Sequence, residues 1–86
     1  MAPKVLLAEP EAAEAEKLGS ALNDAGYRVT LVRSGPEVFE ASSRSSFDFF
    51  ILDSQVLGDE EASIMHFLRA RSPSARVILT ADPKGA

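Results

Sequence analysis

Four short apolar runs, separated by amphipathic or polar stretches, set the rhythm of this chain. Residues 4–8 (Lys-Val-Leu-Leu-Ala) are apolar without alternation, the pattern of a strand covered on both faces, as in a parallel sheet. Pro10 suits the first turn of a helix, where a missing N–H costs nothing. Glu11, Glu14 and Glu16 complement the positive end of the helix dipole. Ala15, Leu18, Leu22 and Ala25 recur at helical spacing, and Gly26 follows as a C-terminal stop. A helix over 10–25 is expected. Residues 27–32 (Tyr-Arg-Val-Thr-Leu-Val) are rich in β-branched side chains and alternate in part, which predicts a strand nearer an edge than the first.

Ser34-Gly-Pro-Glu37 carries a capping-box spacing with Pro36 in the first turn. Val38, Phe39 and Ala41 would form the buried side of a short helix. The polar run 42–46 reads as a loop. Phe47 to Asp53 holds the most apolar stretch, unbroken from Phe49 to Leu52, and predicts a central strand. Residues 54–59, with Gly58, read as a second loop. A helix over 60–71 would turn Ile64, Met65, Phe67 and Leu68 inward and Glu60, Glu61, Arg69 and Arg71 outward. Ser72-Pro-Ser74 stops it. Residues 76–80 (Arg-Val-Ile-Leu-Thr) form a fourth strand, ended by Asp82-Pro83. The order β-α-β-α-β-α-β with short connections implies a parallel α/β sheet with right-handed crossovers and helices on its faces.

Composition narrows the function. At 86 residues the chain is one domain, spanning 1–86. With 45% hydrophobic and 26% charged residues it has a globular balance. A formal charge of −4 argues against a nucleic-acid surface, so Phe47, Phe49 and Phe50 read as core and not as a base-stacking platform. There is no cysteine and one histidine, His66, which excludes a disulfide scaffold and a Cys- or His-rich metal site; His66 reads as a surface or boundary residue of the third helix. No apolar run approaches the roughly 20 residues of a membrane span. The N-terminus does not read as a signal peptide. A cytoplasmic location is expected.

In open parallel sheets, ligands bind beyond the carboxyl ends of the strands. Glu9, Asp53 and Thr80 fall at three of those ends. Carboxylates on adjacent strands, about 4.8 Å apart, can share a hard cation such as Mg²⁺, which takes one or two carboxylates with water and phosphate oxygens. Asp53 is also a possible nucleophile toward a phosphoryl donor, and Mg²⁺ would offset the charge repulsion. The Thr80 hydroxyl can bond a phosphoryl oxygen, and Ala81 leaves room beside it. Each residue also has a plainer reading: Asp53 as a solvated residue or a helix cap, Glu9 as a complement to the helix dipole, Thr80 as an ordinary strand residue.

Lys4-Val-Leu-Leu-Ala-Glu-Pro-Glu11, Phe47-Asp-Phe-Phe-Ile-Leu-Asp53, Gly58 and Val77-Ile-Leu-Thr-Ala81 resemble, in order and spacing, the signatures of the receiver domain of bacterial two-component response regulators. The resemblance implies a flavodoxin-like three-layer fold with strand order 2-1-3-4, lacking the fifth βα unit. It implies Asp53 as phosphoacceptor, Thr80 as switch hydroxyl, Ala81 as the small residue after it, and Glu9 as the first acid of a Mg²⁺-binding pair. A histidine kinase or other signalling protein is the implied partner. The chain departs from the pattern at Pro10, where the second acid of the pair stands, and at Leu57, where a proline is usual. The lysine that ends the fifth strand is missing, and Lys84 is too near Thr80 to replace it.

Two functions follow. One is a phosphoacceptor domain, active at most in its own phosphorylation. The other is a degenerate receiver acting as a phosphorylation-independent interaction or dimerisation module. An enzyme on this scaffold finds no nucleophile-base set and no glycine-rich phosphate loop. An uncovered fourth strand would also expose an apolar edge, so self-association through residues 76–81 is expected.

Overall fold

The computed structural model describes residues 2–80. They form β1 (Lys4–Ala8), α1 (Ala12–Asp24), β2 (Arg28–Val32), α2 (Gly35–Arg44), β3 (Phe49–Asp53), a short α3 (Ser54–Leu57) continued by a 3₁₀ turn (Gly58–Glu60), α4 (Glu61–Arg71) and β4 (Arg76–Thr80). The four strands make one parallel sheet of order β2-β1-β3-β4. This is the expected α/β flavodoxin-like arrangement. The unalternating runs lie at the centre and the partly alternating β2 at an edge.

Strand parity divides the side chains into two layers. Leu6 and Ala8 of β1, Phe50 and Leu52 of β3 and Val32 of β2 join Val38, Leu57, Ile64 and Leu68 in the main core beneath α2 and α4. Val5 and Leu7 point the other way and are buried beside α1, which contributes Ala15 and Gly19. Among the described residues α1 is the helix on that side, and Leu18, Leu31 and Ile78 are exposed.

Several boundaries differ from the sequence pattern. Pro10 precedes the N-cap Glu11 and lies outside α1. The α1 face turned to the sheet is Ala15, Gly19 and Leu22 rather than a stripe through Leu18 and Ala25, both exposed. The expected loop at 42–46 is helical as far as Arg44. The Ser42 hydroxyl donates to the Val38 carbonyl at 2.6 Å and the Ser43 hydroxyl to the Phe39 carbonyl at 2.7 Å, so neither serine draws the backbone out of the helix. The expected loop at 54–59 is the α3–3₁₀ segment, in which Gly58 takes a positive φ of 54°. Arg71 is exposed, as expected, and lies across the end of α2. Its Nε donates to the Ser42 carbonyl at 2.6 Å and its Nη2 to the Ser43 carbonyl at 2.7 Å. Met65 and Phe67 are half-buried against the core and His66 is exposed, as the helical pattern predicts.

Candidate functional site

The carboxyl ends of β1, β3 and β4 lie side by side because parallel register carries each strand to the same level. Ala8 is level with Leu52, and Asp53 is level with Thr80. Glu9 follows Ala8 directly, so the three candidates Glu9, Asp53 and Thr80 stand at neighbouring strand ends on one rim of the sheet. Their convergence comes from β-pairing between segments far apart in sequence, Asp53 with Thr80 and Val5 with Phe49.

Asp53 is buried, 9% exposed. Its two oxygens have different duties. Oδ1 accepts the Gln55 backbone N–H at 2.8 Å and caps α3. Oδ2 faces the Thr80 hydroxyl at a long 3.4 Å. The single Thr80 proton is shared, since its Oγ1 lies 3.4 Å from the Leu52 carbonyl as well. The capping duty and the rim position therefore coexist: one oxygen is committed to the backbone and the other has only a loose partner. Gln55 was not among the residues singled out by sequence. Its part is played by a main-chain N–H, which carries no side-chain signature.

Glu9 is half-buried, and its Oε2 accepts the Glu11 N–H at 3.2 Å at the entrance to α1. Pro10 presents a ring where a carboxylate would extend the acidic set. Among the described residues no three acids or histidines stand close enough to enclose a metal. Glu9 and Asp53 remain as hard oxygen donors on adjacent strand ends. That donor set fits Mg²⁺ held by two carboxylates with its other positions open to water or phosphate. The Glu9 carboxylate would first release its exposed bond to Glu11. Ala81 and Lys84 lie outside the described residues.

No protein-family model matches the chain. It is 32% identical over 77 residues to the sensory transduction protein RegX3 of Mycolicibacterium smegmatis, covering 90% of this chain and 34% of that protein. It spans about a third or less of the curated relatives it matches. A response regulator receiver protein from Sinorhizobium medicae superposes with a TM-score of 0.82 at 27% identity, covering 93% of this chain and 66% of that one. The response regulator TrrA of Thermotoga maritima, solved in complex with Mg²⁺-BeF, superposes with a TM-score of 0.79 at 23% identity, covering 92% and 69%. The strand order, the rim of strand ends and these likenesses agree, and by fold and by sequence the chain belongs with the response-regulator receiver domains.

Proposed function

We propose that this chain is the receiver of a two-component phosphorelay, accepting a phosphoryl group on Asp53 from a histidine kinase. The observation that carries the reading is the division of labour at Asp53. A buried carboxylate on the ligand-binding rim has one oxygen fixed by the Gln55 N–H and the other loosely held by a hydroxyl. The fixed oxygen orients the group, and the looser one is the better nucleophile. In the transfer, Oδ2 bonds to phosphorus as the P–N bond to the donor imidazole breaks. The imidazole nitrogen keeps the electron pair and takes a proton from solvent. Glu9 and Asp53 would hold Mg²⁺, which supplies positive charge against the repulsion between carboxylate and phosphate. The TrrA neighbour, solved in complex with Mg²⁺-BeF, supports Mg²⁺ as the cation. Thr80 would then donate its proton to a phosphoryl oxygen instead of dividing it between Leu52 and Asp53, and Ala81 would leave space at that end of β4. The product is a modified protein and not a released compound, so the role is signalling and not turnover.

A formal charge of −4 supports a protein partner over direct contact with nucleic acid. No helix among the described residues is long and apolar enough to cross a membrane. Residues 1–86 are read as one receiver-like unit, and a cytoplasmic location belongs to the phosphorelay reading. Pro10 favours a second reading, a phosphorylation-independent module that binds another protein or a second copy of itself.

The test is chemical. Incubation with Mg²⁺ and a small phosphoryl donor such as acetyl phosphate is expected to add one phosphoryl mass to the intact protein. The adduct should vanish in Asp53→Asn and in the presence of a chelator. An unmodified wild-type mass under conditions that label a known receiver would leave only the interaction-module reading.

A further inference from the structure

Gly35, the first residue of α2, is buried, and its place asks for room and not for a left-handed backbone. Of the described glycines only Gly26 and Gly58 have positive φ. A methyl group at position 35 would stand 2.9 Å from Glu60 Oε1, 3.2 Å from Ile64 Cδ1 and 3.7 Å from the Leu57 carbonyl oxygen. Nothing lies within 4 Å of the same point on Gly19, Gly26 or Gly58. Glu60 is exposed and can swing aside. Ile64 cannot, because it is fully buried in the main core, where side chains are close-packed. An added methyl therefore presses on the first turn of α4.

Farther along, the two helices are fastened together. Phe39 and Phe67 stack edge to face with centroids 5.1 Å apart. Arg71 of α4 donates to the Ser42 and Ser43 carbonyls of α2 at 2.6 and 2.7 Å. Pressure at position 35 opens the pair like a hinge, with the largest displacement at the start of α4. That end runs without a break through the 3₁₀ turn and α3 back to Asp53. Leu57 is the one buried side chain of α3 and the turn, and its carbonyl faces Gly35. At the near end of the same segment the Gln55 N–H holds Asp53 Oδ1 at 2.8 Å.

We propose that Gly35 is a positioning residue for Asp53: its missing side chain lets α2 and the start of α4 close together, which seats the α3 segment and aims the Gln55 N–H at Oδ1. The proposal rests on the phosphorelay reading and deepens it. Position 35 touches no reacting atom and acts through Ile64, Leu57 and Gln55. A 3.2 Å contact at Cβ is relieved by a shift of a few tenths of an ångström. A misplacement of about 1 Å costs about a hundredfold in rate, so about 0.3 Å at Asp53 slows transfer about fourfold. Pro36 adds a local objection to a side chain at position 35 in helical backbone, but that effect acts within α2 alone.

Intact-mass kinetics of the full chain with Mg²⁺ and acetyl phosphate test the proposal, together with the Gln55 amide proton in NMR spectra recorded without donor. Gly35→Ala should take up phosphate about fourfold more slowly, and its Gln55 amide proton should move upfield as the bond to Oδ1 lengthens. Ile64→Val removes the Cδ1 atom that the new methyl would meet and by itself should label at the wild-type rate. The double variant Gly35→Ala/Ile64→Val should regain most of the lost rate and return the Gln55 resonance. Losses that come from weakened packing alone accumulate over two core changes, whereas relief of a clash has the opposite sign. Circular dichroism checks that each variant is folded. A Pro36→Ala background lifts the local restriction and carries the same comparisons if Gly35→Ala alone does not fold. A folded Gly35→Ala that labels at the wild-type rate with an unmoved Gln55 resonance would overturn the proposal, as would a double variant no faster than Gly35→Ala. Wild-type protein that takes up no phosphate would end the phosphorelay reading, and the Gln55 resonance then decides alone. Moved by Gly35→Ala and restored in the double variant, it upholds the seating of Asp53 by Gly35; unmoved, it ends that as well.

Discussion

Replacing Arg71 by alanine should destabilise the fold far more than its exposed position suggests. The guanidinium donates to the carbonyls of Ser42 and Ser43 at 2.6 and 2.7 Å. Both carbonyls belong to the last turn of α2, where no following N–H exists to satisfy them. Hydrogen bonds to charged groups contribute about 1.5–3 kcal/mol each when shielded. Here only the Ser42 bond is shielded, since Ser42 is 1% exposed. We assign it about 1–1.5 kcal/mol and the solvent-exposed Ser43 bond a few tenths. The charge also lies at the negative ends of α2 and α4, each worth about 0.3 kcal/mol in solvent. A loss of about 2–2.5 kcal/mol follows, which for a domain of this size lowers the melting temperature by about 8–20 °C. Urea denaturation followed by circular dichroism, with a thermal melt alongside, measures both. Arg69→Ala is the control: it removes a charge from the same last turn of α4 and should cost about 0.3–0.5 kcal/mol. Arg71→Lys keeps the charge but not the forked geometry and should fall between them. Equal midpoints for Arg71→Ala and Arg69→Ala would refute the clamp.

Further outcomes are expected elsewhere. Phe50, fully buried beneath α2 and α4, should lose about 3–5 kcal/mol on change to alanine, enough to leave a visible unfolded fraction in a small domain at 37 °C. Ser42→Ala should be neutral within about 0.5 kcal/mol in urea despite complete burial, since the Val38 carbonyl keeps its helical partner and alanine is the better helix former. Asp53→Ala should cost about 1 kcal/mol through loss of the α3 cap, whereas Asp53→Asn, which caps equally well, should stay near wild type. That contrast makes asparagine the proper inactive variant for the labelling assay. Glu9→Gln should weaken Mg²⁺ binding measured by calorimetry while leaving the melting temperature within about 2 °C.

The elements of this fold are local consequences of composition. An unbroken apolar run such as 49–52 cannot be covered by one layer, so it must become a strand with helices on both sides. The spacing of Ile64 and Leu68 settles α4 without help from the rest of the chain, and the capping box at Ser34 settles the start of α2, where the Ser34 Oγ accepts the Glu37 N–H at 3.3 Å. The placing of Glu9, Asp53 and Thr80 at strand ends could likewise be read from where each run stops. What long-range packing alone decided was different in kind. The serines at 42–43 favour a loop by their own chemistry, and they are helical because core burial and an arginine 29 residues away satisfy the backbone there. Leu18 matches the helical stripe as well as Ala15 does, but only one side of α1 meets the sheet. The division of Asp53 between Gln55 and Thr80 depends on register across β3 and β4, and no local pattern encodes register between strands that are distant in sequence. Local patterns report what each segment must bury; the partner it is buried against is a property of the assembled chain.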